Sequence, residues 1–127
     1  GMRIVHWGDN RHNPPEEVWD MLGEIDIALL PVDSSRHVMG FHQVEQIIER
    51  LKPKVVVPHH YYIYDVIQRQ STLQTADAWV EEKPDAVWLD GPTKTYTPEE
   101  VRVLDRAVHY FGGHVAFDAE KWRIGED

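Results

Sequence analysis

The stretch IDIALLPVDSSRHVMGFHQVEQIIERLKPKVVVPHHY, residues 25–61, decides the fold. Residues 25–32 (IDIALLPV) are almost continuously apolar, and Pro31 near the end of the run predicts a strand that stops at or just past it. Within residues 39–51, Val44, Ile47, Ile48 and Leu51 fall at i, i+3, i+4 and i+7, one apolar stripe of a helix laid against a core. Lys52-Pro53 ends that helix, and KVVV at residues 54–57 starts a second strand running into Pro58-His59-His60. Neither strand alternates polar with apolar, so both are expected to be covered on two faces.

The same alternation continues outward. Residues 2–7 (MRIVHW) read as a strand ending at Gly8-Asp9, and residues 10–15 are rich in turn formers. Pro14-Pro15-Glu16-Glu17 opens a short helix over residues 16–22, because proline suits the first turn and acidic side chains suit the positive end of the helix dipole. Downstream, residues 71–83 read as a helix and residues 85–90 (DAVWLD) as a fourth strand. Thr97-Pro98-Glu99-Glu100 begins a last helix through Val101, Leu104 and Val108, ended by Gly112-Gly113. Strands alternating with helices imply an α/β fold with a mainly parallel sheet. The helices suffice for one sheet face only, so a second layer or a second chain is expected on the other.

The chain has 127 residues, 13 Lys+Arg against 22 Asp+Glu and a net charge of −9, with 42% hydrophobic residues. That length and balance fit one globular domain, residues 2–127, with Gly1 ahead of Met2 read as a tag remnant. The acidic balance argues against nucleic-acid binding, which needs a basic face. No apolar run reaches the roughly 20 residues that cross a bilayer, and no signal peptide is legible, which makes the expected location cytoplasmic with no membrane partner. With no cysteine, His and carboxylate oxygens are left as metal ligands.

Ligands of open parallel sheets gather at the carboxyl ends of strands. Three polar clusters sit at such ends: His6-Trp7-Gly8-Asp9 with His12; Asp33-Ser34-Ser35 with Arg36 and His37; and Pro58-His59-His60-Tyr61. Parallel neighbouring strands would bring them to one edge, and a sulfur-free set of His and carboxylate donors suits zinc, manganese or iron(II). The plainer readings are a turn-forming Asp9, solvated histidines at positions 6, 12, 37 and 42, and one structural member of the His59-His60 pair. If the strand persists, those two side chains point to opposite faces. No G-x-S-x-G elbow supports a serine hydrolase, no glycine-rich phosphate loop is present, and Asp9, Asp33 and Lys54 fit a receiver domain poorly.

In this order, Gly8-Asp9, IDIALLPV, the amphipathic helix and KPKVVVPHHY resemble the C-terminal half of a metallo-β-lactamase-fold metal-dependent hydrolase, in the branch that includes the ascorbate-phosphate lactonase. The resemblance runs from about His6 to Tyr62 and, more loosely, through the helix and strand ending at Asp90. It implies half of an αββα sandwich, one mainly β sheet with helices on one face. It also implies Asp9 as the carboxylate and His60 as the late histidine of a metal site, both catalytic, with His6 and His12 as further metal-ligand candidates and Tyr61 lining the pocket. The family's His-x-His-x-Asp-His signature occurs nowhere in the sequence. Two ligands fall short of the three or four that a zinc site takes from protein.

Two functional expectations follow. One is a hydrolase of a small-molecule ester, lactone or phosphoester that uses zinc or manganese and whose site is incomplete in a single chain. The other is a non-catalytic scaffold, a truncated or degenerate half-domain without a cofactor of its own. Half of the sandwich would leave several hundred Å² of apolar sheet in water, worth many kcal/mol at ~25 cal/mol per Å², so a two-fold homodimer through that face is expected.

Overall fold

The computed structural model describes residues 1–36, 38–64 and 69–114. Five strands, β1 (Ile4–His6), β2 (Ile27–Pro31), β3 (Val55–His59), β4 (Val87–Trp88) and β5 (Ala107–Tyr110), form one sheet in the order β1-β2-β3-β5-β4. Every pairing is parallel; in register, Ile4 lies beside Ile27, Ile27 beside Val55, and Val55 beside Ala107. The described helices are α1 (Glu16–Leu22), α2 (Phe41–Leu51), α3 (Asp77–Glu81) and α4 (Pro98–Arg102). No helix among the described residues is long and apolar enough to cross a membrane.

The stripe read from the sequence is the buried face of α2: Val44, Ile47, Ile48 and Leu51 join Ala28, Leu30, Val56, Val108 and Trp79 in the larger core. The opposite sheet face carries a smaller cluster of Ile27, Val55, Val57 and Val101, flanked by Met2, Leu29, Tyr96, Leu104 and Phe111. Period-two alternation explains the division, since Ala28 and Leu30 face one way and Ile27 and Leu29 the other. Helices on one face only is therefore corrected in one respect: Val101 brings α4 onto the second face.

The C-terminal part differs from expectation. Helix 71–83 shrinks to α3, because residues 71–76 are instead strapped across the sheet's end by Gln74 N–H to the Asp33 carbonyl (2.7 Å) and Tyr62 N–H to the Gln74 carbonyl (2.9 Å). The fourth strand is only two residues long. The last helix stops at Arg102, and Val108 belongs to β5, whose Ala107 to Tyr110 are all buried between β3 and β4. Left-handed Arg106 (φ 53°) turns the chain into that strand, with its N–H on the Pro53 carbonyl at 2.9 Å.

Candidate functional site

The carboxyl ends of β1, β2 and β3 lie side by side, so the three polar clusters do share one edge of the sheet. Strands are ~4.8 Å apart, which puts the ends of β1 and β3 about 10 Å from each other with β2 between them.

Asp9 occupies the turn that leaves β1. Gly8 supplies a left-handed φ of 68°, the Asn10 amide donates to the Trp7 carbonyl at 2.8 Å, and the buried Trp7 indole donates to the Arg11 carbonyl at 3.0 Å. The Asp9 carboxylate is exposed in this braced turn. His6 accepts the Gly8 N–H at its Nδ1 (3.0 Å) and packs its ring 4.5 Å from that of His59.

His60 is the most constrained of the candidates. β3 ends at His59, and His60 takes a left-handed φ of 60°, which re-aims the chain at the strand end. The strand does not persist through His60, so the condition under which His59 and His60 would face apart is not met. Both line one cavity of about 350 Å³, together with Leu29, Val57, Tyr61 and Phe111. The His60 Nδ1 lies 2.8 Å from Oδ2 of Asp33, a carboxylate with no exposed surface. The other carboxylate oxygen of Asp33 accepts from the Ser35 N–H at 3.0 Å and the Ser35 hydroxyl at 3.1 Å, and the Ser35 Oγ accepts the Val38 N–H. A carboxylate only accepts, so this network assigns the His60 proton to Nδ1 and leaves Nε2 with a lone pair. That is the arrangement in which a carboxylate fixes the tautomer and direction of a metal-ligating imidazole.

His59 is held differently. Burial, reinforced by the nearby imidazoles of His6 and His60, pushes it down to about 4, so it is neutral at ordinary pH. Its Nε2 is buried without a hydrogen-bond partner among the described residues. Tyr61, raised to about 12 by burial and the charge of Asp77, keeps its proton and donates it to the Gly112 carbonyl at 2.8 Å.

His12 lies elsewhere, in a separate cavity with Arg11, Ser34, Arg36 and His42, and His42 is exposed on α2. His37 lies outside the described residues. The structure thus pairs His60 with Asp33 and groups it with His59, against whose ring His6 packs, while His12 lines a different cavity. Among the described residues no group of three or more His, Asp or Glu side chains converges to hold a metal ion. His60 is presented as a ligand would be, but these residues by themselves do not make a coordination sphere. The sequence reading named Asp33 without a partner, since nothing in the spacing of residues 33 and 60 announces their contact.

Residues 1–60 match the family model described as Beta-lactamase superfamily domain. A UPF0173 metal-dependent hydrolase of Methanosarcina mazei is 35% identical over 69 residues, 54% of this chain and 30% of that protein. A UPF0173 metal-dependent hydrolase of Pyrococcus abyssi is 39% identical over 62 residues, 48% of this chain and 27% of that one. The chain thus aligns with under a third of the length of these relatives. A solved structure from Thermotoga maritima, of the metallo-β-lactamase superfamily, superposes with a TM-score of 0.65 at 23% identity, over 84% of this chain and 51% of its own. The α/β fold with a parallel sheet is therefore one found in that superfamily.

Proposed function

We propose that this chain, residues 2–127 as one domain, is the C-terminal half of a metallo-β-lactamase-type hydrolase that cleaves a small-molecule ester, lactone or phosphoester, in the ascorbate-phosphate-lactonase-like branch. The observation that carries the reading is the buried Asp33 carboxylate holding His60 by Nδ1, which leaves Nε2 as the ring nitrogen available to a ligand. A fully buried carboxylate costs several kcal/mol to desolvate and is retained where its bonds fix something. Here it fixes the histidine that matches the family's late ligand. Asp9 matches the carboxylate ligand, and the remaining donors of a zinc or manganese site come from outside the described residues. In that setting Asp33 positions His60, and Tyr61 lines the 350 Å³ cavity with its hydroxyl tied to the Gly112 carbonyl.

The second reading is a scaffold without catalysis that dimerises through its sheet face, favoured by the lack of a converging third donor among the described residues. Zinc and manganese titrations against a chromophoric chelator separate the two. The hydrolase reading expects measurable binding that Asp9→Ala and His60→Ala each weaken by at least about tenfold, or ~1.4 kcal/mol. Binding absent, or unchanged in both variants, leaves the scaffold.

A further inference from the structure

We propose that the cavity between the β1–α1 loop and the start of α2 binds an oxyanion, the phosphate or carboxylate group of a small molecule. Its volume is about 370 Å³, and Arg11, His12, Asn13, Ser34, Arg36 and His42 are among its lining residues. In a chain of net charge −9, no aspartate or glutamate among the described residues lines it. Among the described residues neither Arg11 nor Arg36 makes an ion pair, so both guanidinium groups lack a carboxylate partner. Donors of one sign gathered in a concavity focus a positive potential, and guanidinium forks match the geometry of phosphate and carboxylate.

The positions of these donors are set by the backbone. Trp7 ties the Arg11 carbonyl, and Asp33 with Ser35 braces the loop that presents Ser34 and Arg36. The first turn of α2 carries no acidic side chain, and its entry is fixed by the Gly40 N–H on the Gln43 side-chain oxygen at 2.7 Å. Ser34 and Ser35 directly follow Asp33, so one braced loop carries the cavity on one side and the grip on His60 on the other. That this anion is one end of the substrate rests on the hydrolase reading, and it narrows the substrate class to phosphorylated or carboxylated molecules. The anion site itself does not depend on that reading.

The test titrates inorganic phosphate, and separately acetate, into the full metal-free chain, following the amides of residues 34–43 by proton–nitrogen NMR. Saturable shifts are expected with at least one anion, weakened at least about tenfold in the Arg11→Gln/Arg36→Gln double variant, as loss of a charged hydrogen bond of ~1.5–3 kcal/mol requires. Both side chains are exposed, and an unchanged urea midpoint confirms that the variant folds. Tighter phosphate than acetate assigns a phosphate group; the reverse order assigns a carboxylate. No saturable shift with either anion, or unchanged binding in the double variant, overturns the proposal. Phosphate binding retained in a chain whose metal affinity ignores Asp9→Ala would keep the anion site and remove the hydrolase reading.

Discussion

A single proton position at His60 separates a presented ligand from a surface histidine. Asn at position 33 preserves size and still accepts from Ser35 through Oδ1, but its amide donates toward His60 Nδ1 and drives the proton to Nε2. Asp33→Asn is therefore expected to invert the His60 tautomer, read from its ring-nitrogen NMR shifts, and to lower metal affinity by roughly 10–100-fold. An unchanged tautomer would show that Asp33 does not direct the ring. Elsewhere, His109 is buried, hydrogen-bonded to the Tyr96 hydroxyl at 2.6 Å, and its pKa is lowered, first by burial and then by Lys94. A histidine depressed in the folded state binds fewer protons there than in the unfolded chain. Its contribution to stability is complete above about pH 6.5 and is lost as pH falls through the depressed folded value. The urea midpoint should fall from pH 7 to pH 5, and His109→Gln should make that pH slope shallower even where it lowers the midpoint itself.

Elements show what the sequence could and could not display. β2, α2 and β3 were legible because each has one periodicity and nothing competing with it: continuous apolar strands around a clean 3.6-residue stripe. β5 was not, because Val101, Leu104 and Val108 mimic a helical stripe across a break that only the left-handed Arg106 reveals. For the site, the sharing of one sheet edge was legible from strand ends alone. The Asp33–His60 contact was not, since it depends on strand register and on the positive φ of His60. Two variants probe element ends. α2 closes on Lys52 at φ 49°, a left-handed cap that glycine adopts without strain, so Lys52→Gly should raise thermal stability by up to about 1 kcal/mol. α4 is only five residues long and is capped by Thr97 Oγ1 accepting the Glu100 N–H. Thr97→Ala should cost about 1 kcal/mol in a urea melt.

The whole molecule is held unevenly. Its larger core contains Trp79, 1% exposed, whose indole donates to Glu45 at 2.8 Å; Trp79→Ala should cost ~3–5 kcal/mol, a large part of a domain's ~5–15. The second face is thinner. Ile4 is 58% exposed although Val5 beside it packs into the larger core, which puts Ile4 on the thinly covered side. If that side pairs with a second copy, as we propose for the scaffold reading, light scattering should find a dimer at micromolar concentration that Ile4→Lys converts to monomer. A stable monomer in the parent chain would exclude it.

The strand order also sets a sequence of events in time. β5 sits between β3 and β4, so the fourth strand to be synthesised has no neighbour to pair with until the fifth has arrived. β4 must wait unpaired, and a released chain truncated before Ala107 would leave Val87 and Trp88 with no strand to pair with and open to digestion, while the pairings of β1 to β3 can still form.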